Sequence, residues 1–308
     1  MDTTTASLLE SGEVEAQVAL PGGGEIAVAR IGPGSLLGEM ALLEQGIVSA
    51  TVVAQGPVLA HFIERDDFRA LVKQRDAAVF KLQHAVTMAL VEKLRAINAR
   101  VLAFDVPEDL PAGEEPQGDP LAGVPRGTAA SFDYRRFLPI LPIFREFNDE
   151  EIERVAARAG LLDLPRGHAI LRAGQPVAAS WIVVRGAVEV SARSGARRRR
   201  IAVLGPGQWL GAMSQLDGGV HRASAIAREN SLLLEIGQAD FDALYRAGDA
   251  TSVKIQHAIH VSLLQSLRRT NNQLSRLISQ ARIRGRRGAD RVEDLQSALY
   301  GQICHSAG

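Results

Sequence analysis

The chain is short of most residues that announce chemistry on their own. It has one cysteine, Cys304, in 308 residues, so an internal disulfide is excluded, and no Cys-x-x-Cys pair or Cys/His cluster offers a zinc site. Neither sign of charge is in excess, with Lys+Arg and Asp+Glu both at 35. A chain without a net field is not built mainly to hold nucleic acid or an anionic membrane. No uninterrupted apolar run reaches membrane-spanning length, and Met1-Asp2-Thr3-Thr4-Thr5 has neither the basic region nor the apolar core of a targeting segment. No nucleophile-base set, metal cluster or Walker-type loop is present. These absences predict a cytoplasmic protein that is not an enzyme, needs no cofactor or metal, and contacts neither membrane nor nucleic acid.

What is present is repetition. Gly32-Pro33-Gly34-Ser35-Leu36-Leu37-Gly38-Glu39-Met40 is answered by Gly205-Pro206-Gly207-Gln208-Trp209-Leu210-Gly211-Ala212-Met213. Gly38 and Gly211, Phe68 and Phe241, Gln83-His84-Ala85 and Gln256-His257-Ala258, and Asn98 and Asn271 all stand 173 positions apart. The offset becomes 174 between Gly12 and Gly186 and between Ser49 and Ala223, so single insertions fall in turns, where paired strands tolerate them. With 46% hydrophobic content, the chain can fill two cores of ordinary size.

Short apolar runs, mostly rich in β-branched residues, such as Trp181-Ile182-Val183-Val184, Val188-Glu189-Val190, Ile201-Ala202-Val203 and Leu232-Leu233-Leu234 alternate with turn glycines at 174, 186, 195 and 205. This pattern favours a small barrel or jelly roll. Helical periodicity brackets the roll from Asp149 to Ala159 and from Ala239 to about Ile283, with Ile259, Leu263, Leu267 and Leu274 on one stripe. The first copy has Val86, Leu90, Leu94 and Val101 in the matching places. The predicted class is α+β, mainly β: two tandem double-stranded β-helix (jelly-roll) domains with flanking helices. The boundaries are 1–104 for a first domain, 105–131 for a flexible Pro/Gly/acid linker, 132–283 for a second domain and 284–308 for a tail. Judged against its own repeat, the first domain is expected to be N-terminally incomplete by about 40 residues, with strand edges left open.

The Gly-Pro-Gly turn, the string Leu-Gly-Glu-Met-Ala-Leu-Leu at 37–43 and the string Ser-Ala-Thr-Val at 49–52 resemble the cyclic nucleotide-binding domains of bacterial catabolite-activator proteins and of protein kinase A regulatory subunits. The resemblance implies a phosphate cradle. Backbone N–H groups of a short helix face the phosphate, an arginine bonds a phosphate oxygen, and a glutamate accepts from the ribose 2′-hydroxyl. Each copy lacks one of the two charged groups. The second keeps Arg222 but has Ala212 for the acid, while the first keeps Glu39 and has no arginine around Val48 or Ser49.

Only the arginine answers the phosphate charge, so a nucleotide is expected at Leu210, Gly211, Ala212, Met213, Arg222, Ala223 and Ser224 of the second domain. Leu37, Gly38, Glu39, Met40, Ala41, Ala50 and Thr51 form the weaker first-domain counterpart. Glu39 can equally be an acid in a first helical turn, and Arg222 a solvated strand end. The run Arg197-Arg198-Arg199-Arg200 reads as a hairpin rim in water, with contact to a partner or nucleic acid as the alternative, and the basic cluster at Arg282, Arg284, Arg286 and Arg287 near the C-terminus is weighed in the same way.

Three function classes follow. The first is a regulatory, signal-transducing protein that senses cyclic AMP or cyclic GMP mainly in its second domain and relays binding through the C-terminal helices. The alternative is a degenerate, non-binding scaffold that self-associates or meets a protein effector through its long helices. A transcription regulator of the catabolite-activator type would need a helix-turn-helix after Ile283, and the glycine-bearing stretch there is not expected to form one.

Overall fold

The computed structural model describes residues 4–19, 25–43, 51–74, 77–103, 110–111, 118–127, 133–195 and 197–285. The chain divides into two compact units, residues 1–89 with 271–308, and residues 90–270.

In the first unit β1 (Thr5–Ser11), β2 (Val14–Ala19), β3 (Glu25–Ile31) and β4 (Leu36–Leu37) lead to a short helix α1 (Glu39–Leu43). Strands β5 (Thr51–Ala54) and β6 (Leu59–Glu64) follow, then α2 (Arg65–Gln74) and the long α3 (Ala77–Ala103), whose last residues belong to the second unit. The strands make two antiparallel sheets of order β4-β1-β6 and β3-β2-β5. In β1, Ser7 and Leu9 are buried and Leu8 and Glu10 exposed, the two-residue period of a strand with one covered face. Leu42 of α1 and Phe68 of α2 complete this core at 1% and 3% exposure. The outer strands leave Leu59 and Phe62 at 53% and 65% exposure.

The second unit repeats this order with additions. After a two-residue strand β7 (Leu110–Pro111), 3-10 turns at Tyr134–Ile140 and Pro142–Phe144 and helix α4 (Asp149–Ala156) come β8 (Gly160–Leu164) and β9 (Ala169–Leu171). The remaining strands are β10 (Ala179–Arg185), β11 (Val188–Ser194), β12 (Arg197–Leu204) and β13 (Trp209–Leu210), then helix α5 (Ala212–Asp217), β14 (Ser224–Ala227) and β15 (Ser231–Gly237). Two antiparallel sheets result, β13-β10-β15-β8 and β7-β12-β11-β14-β9. Among the described residues of the first unit, β8 and β9 have no counterpart.

Trp181, Val183, Leu233, Val188, Leu204, Leu210 and Ala225 fill the space between the sheets. Ile182, Leu232, Leu234 and Ile236 are 0% exposed on the opposite face, where α6 (Gln238–Arg246) and the first 3-10 turn pack. Both faces of β10 and β15 are therefore covered, which is why they read as continuous apolar runs rather than as alternation.

Three expectations change. The helical stretch from Ala239 is two helices, α6 and α7 (Ala250–Gly285), because Gly248 takes φ 73° and Asp249 Oδ1 caps the next helix, accepting from Ser252 N at 2.8 Å. Helix α4 ends at Ala156, three residues short of the expected Ala159. A reciprocal box starts it: Asn148 Oδ1 accepts from Glu151 N at 2.9 Å and Glu151 Oε2 from Asn148 N at 2.8 Å.

The flexible linker over 105–131 does not hold for residues 118–127. Leu121 is 2% exposed within the second core, Arg126 Nε bonds Glu235 Oε2 at 2.7 Å, and Gly127 pairs with Leu161. Leu110 and Pro111 pair with Arg198 and Arg197. Leu121, with Val124 packed against the same core, anchors a segment whose average composition reads as disordered. The tail beyond Gly285, with Arg286, Arg287 and Cys304, lies outside the described residues. No helix among the described residues is long and apolar enough to cross a membrane.

Candidate ligand site in the second unit

The cradle is built from its turn upward. Gly205 N bonds Gln208 Oε1 at 2.9 Å, and Gly207 N and Val183 N zip the turn to β10 through Val183 O and Gln208 O at 2.8 and 3.0 Å. Trp209 and Leu210 then pair with Ile182 and Trp181. Gly211 turns the chain into α5 with φ 82° and ψ −5°. A Cβ there would meet Ser180 and Trp181 atoms no closer than 3.5 Å, so the left-handed backbone is what demands glycine here. At Gly38 both reasons act, with φ 70° and Thr5 O 2.9 Å from where a Cβ would lie.

Ser214 N and Gln215 N both donate to Gly211 O, at 3.0 and 3.2 Å. The amides of Ala212 and Met213 are therefore first-turn donors with no helical carbonyl to meet. Leu210 and Ala212 are buried, Met213 half-buried.

A buried polar chain, not foreseen in the sequence analysis, holds α5 from behind. Trp209 Nε1 donates to Ser180 Oγ at 2.8 Å, Ser180 Oγ donates to Gln215 Oε1, and Gln215 Nε2 donates to Ile236 O at 3.1 Å. Every link has a partner, so the network rigidifies the helix rather than weakening the core. In the first unit Ala6 holds the register of Ser180, pairing with Ile63 as Ser180 pairs with Ile236, and an apolar Leu42 packs in α1. The chain belongs to the second cradle alone.

On the strand side, His221 is locked by Gly174 N to its carbonyl at 2.7 Å and by its own N–H to Gln175 O at 2.8 Å. Its ring lies 6.0 Å from Trp181 at 3% exposure. Arg222 follows, exposed, then a half-buried Ala223 and a buried Ser224, whose Oγ accepts from Ala173 N at 3.0 Å. The oxygen of Ser224 thus ties this strand to the neighbouring loop.

Burial holds His221 below the ordinary histidine pKa of 6.5. The unfolded chain therefore takes up this proton first as pH falls. The stability it governs is fully present above about pH 6.5 and declines below it. In His221→Gln, the urea midpoint is expected to change less between about pH 7 and about pH 5 than in wild type. An equally steep decline would assign the titration to another group.

Arg95 of α3 reaches the helix side of the site. It forms an ion pair with Asp217, the last residue of α5, with the two side chains 24% and 14% exposed. Burial first, and the charge of Arg222 second, push its pKa down. The same α3 segment receives a hydrogen bond from Arg199 at Val101 O, and Asn98 Oδ1 accepts from Thr270 Oγ1 at 3.3 Å. Arg199 is 5% exposed, so the arginine run is not uniformly a rim in water: this one is buried while Arg200 is exposed.

In the first unit Glu39 is 6% exposed at the start of α1, and Ala41 N bonds Gly38 O at 2.8 Å. A buried Arg65, not foreseen from the repeat, donates from Nε to Ala41 O. Leu37, Met40 and Ala41 are half-buried and Thr51 exposed, while Ala50 lies outside the described residues. A separate cleft of about 260 Å³ in the second unit is lined by Arg154, Arg158, Leu244, Asp249 and Thr251. Its arginines are already paired, Arg154 with Asp249 at 2.6 Å and Arg158 with Asp240 at 3.3 Å.

The description "Cyclic nucleotide-binding domain" matches residues 2–75 and 161–247, together more than half of the chain. The chain belongs to the cyclic nucleotide-binding domain family. Its two matched regions are the two β-rolls with their cradles. The second match begins in β8 and ends just past α6.

The chain is 34% identical over 106 residues to the cyclic AMP receptor protein of Thermus thermophilus, covering 34% of this chain and 49% of that one. It is 29% identical over 137 residues to a CRP-like cAMP-activated global transcriptional regulator of Mycobacterium tuberculosis, covering 44% and 59%. The chain thus spans about half the length of the curated relatives it matches. A structure of the regulatory domain of Toxoplasma gondii PKA with cAMP aligns at 19% identity and a TM-score of 0.35, covering 80% of this chain and 75% of that one. The family assignment rests on the sequence match.

Proposed function

We propose that this protein is a regulatory cyclic-nucleotide sensor whose second roll binds cyclic AMP or cyclic GMP and whose terminal helices relay the binding. The observation that carries this is the ion pair of Arg95 with Asp217 of α5, formed within the field of Arg222. Free first-turn amides and an exposed guanidinium suit a phosphate diester. The two curated relatives carry names that speak of cyclic AMP, which supports this ligand without deciding against cyclic GMP. In this reading Ala212, in place of the acid, costs a contact to the ribose hydroxyl and leaves the phosphate contact intact. The protein is read as a non-enzymatic cytoplasmic regulator that needs no cofactor.

A second reading concerns the first roll, where Leu59 and Phe62 stand exposed on β6. Apolar strand residues open to solvent suit a protein partner or self-association better than a nucleotide.

Calorimetric titration of the full chain with cyclic AMP and with cyclic GMP tests the sensor reading. Saturable binding of one equivalent is the expected result. Absence of heat from both nucleotides at about millimolar concentration, where binding is worth only about 4 kcal/mol, would leave the scaffold reading in its place.

A further inference from the structure

We propose that Arg95 is the second cation of the anion site in the second unit, supplied by α3 and not by the repeat that carries the cradle. The proposal rests on the reading of the second cradle as a phosphate site and adds to it the residue that the repeat pattern does not contain.

Arg95 of α3 pairs with Asp217 at the end of α5, and the charge of Arg222 acts on the same guanidinium. A further acid, Glu92, acts on Arg95 from one turn earlier on α3 but is exposed, so water screens most of its effect. The ion pair is also incompletely satisfied: Arg95 Nε and Asp217 Oδ1 are both buried without a hydrogen-bond partner. Buried polar atoms are normally paired, and a charged donor left open within the field of a second cation is a place for an acceptor oxygen. A phosphate group offers several such oxygens and the negative charge that would relieve the Arg95–Arg222 repulsion. The planar fork of arginine is suited to it. Asp217 is then the resident counter-ion, competing with the ligand for Arg95.

A purely structural strut between α3 and α5 would have a different signature. Breaking it from either end would disturb the cradle alike, so Arg95→Gln and Asp217→Asn would shift ligand affinity in the same direction. A competing counter-ion makes the two variants opposite.

The test is calorimetric titration of cyclic AMP into full-length wild type, Arg95→Gln and Asp217→Asn, with the melting temperature of each recorded. Arg95→Gln is expected to weaken binding by about tenfold, and Asp217→Asn to tighten it by about threefold. Arg95→Lys should recover only part of the loss, since it restores charge without the fork. Unchanged affinity in Arg95→Gln, or both variants moving the same way, overturns the proposal while leaving the sensor reading in place. If wild type binds no cyclic nucleotide, the sensor reading fails and inorganic phosphate becomes the probe. A phosphate-induced rise in melting temperature that is lost in Arg95→Gln and in Arg222→Gln sustains the anion site, and an equal or absent response in all three overturns it.

Discussion

Arg222→Ala is expected to weaken cyclic-nucleotide binding by roughly 30-fold, about 2 kcal/mol. A hydrogen bond to a charged group that is desolvated in the complex is worth about 1.5–3 kcal/mol. Arg222 is exposed without ligand, so its guanidinium must shed water on binding, and the middle of that range is the appropriate figure. Calorimetric titration against wild type checks it. Arg222→Lys should fall between the two, because an ammonium retains the charge but cannot make the two-pronged contact. The affinity of wild type should also decline as salt is raised, and that decline should be shallower in Arg222→Ala. Wild-type affinity in the alanine variant would move the binding site away from the second cradle. The first, with Glu39 at its helix start, would then be the place to look.

Phe241→Ala is expected to destabilise the second unit by about 3–5 kcal/mol. The ring is 1% exposed. It meets Trp209 edge-on at 5.8 Å and stacks on Tyr245 at 5.6 Å. Removing it leaves a cavity under α6, on the outer face of the sheet containing β10 and β15, and takes away two aromatic contacts of about 0.5–1.5 kcal/mol each within that total. Trp209 directly precedes Leu210 and Gly211, so the same cavity loosens the entry to α5, and weaker ligand binding should accompany the lost stability. Urea unfolding followed by tryptophan fluorescence reads this roll alone, since the chain has 2 tryptophans, Trp181 and Trp209, both in the second unit. Phe241→Leu, which keeps most of the volume, should cost less than half as much. A loss below about 1 kcal/mol in the alanine variant would mean that α6 is not part of the cooperative core.

The repeat made both cradles legible before any coordinates. Equal spacing of glycines and apolar runs located the strands, because a strand pattern survives wherever alternate residues must face a core. It also put Gly38 and Gly211 each at the start of a short helix, where both take a left-handed backbone and a Cβ at Gly211 would still have room. The Ser180–Gln215 chain had a faint trace: a glutamine where the first copy has Leu42, and a serine in the register of Ala6. A polar residue replacing an apolar one on an inward face asks for a buried partner, and comparing the two copies position by position would have raised that question.

Leu121, Arg199 and Arg95 left no such trace. A single leucine in a Pro/Gly/acid-rich stretch is outweighed in any average of composition. Within Arg197–Arg200, which arginine is covered depends on what lies across from the strand, and that is Val101 O, far away in the chain.

The sequence by itself determined the tandem β-rolls, their flanking helices, the position of each cradle and the unequal loss of its charged groups, because all of these are written in local period and in internal offset. Only the tertiary structure decided that part of the linker is anchored, that one arginine of the basic run is buried, and that α3 brings Arg95 to Asp217 within the field of Arg222. Charges act through space at a few ångströms, and which of them meet is set by the packing of elements distant in sequence, which no local pattern encodes.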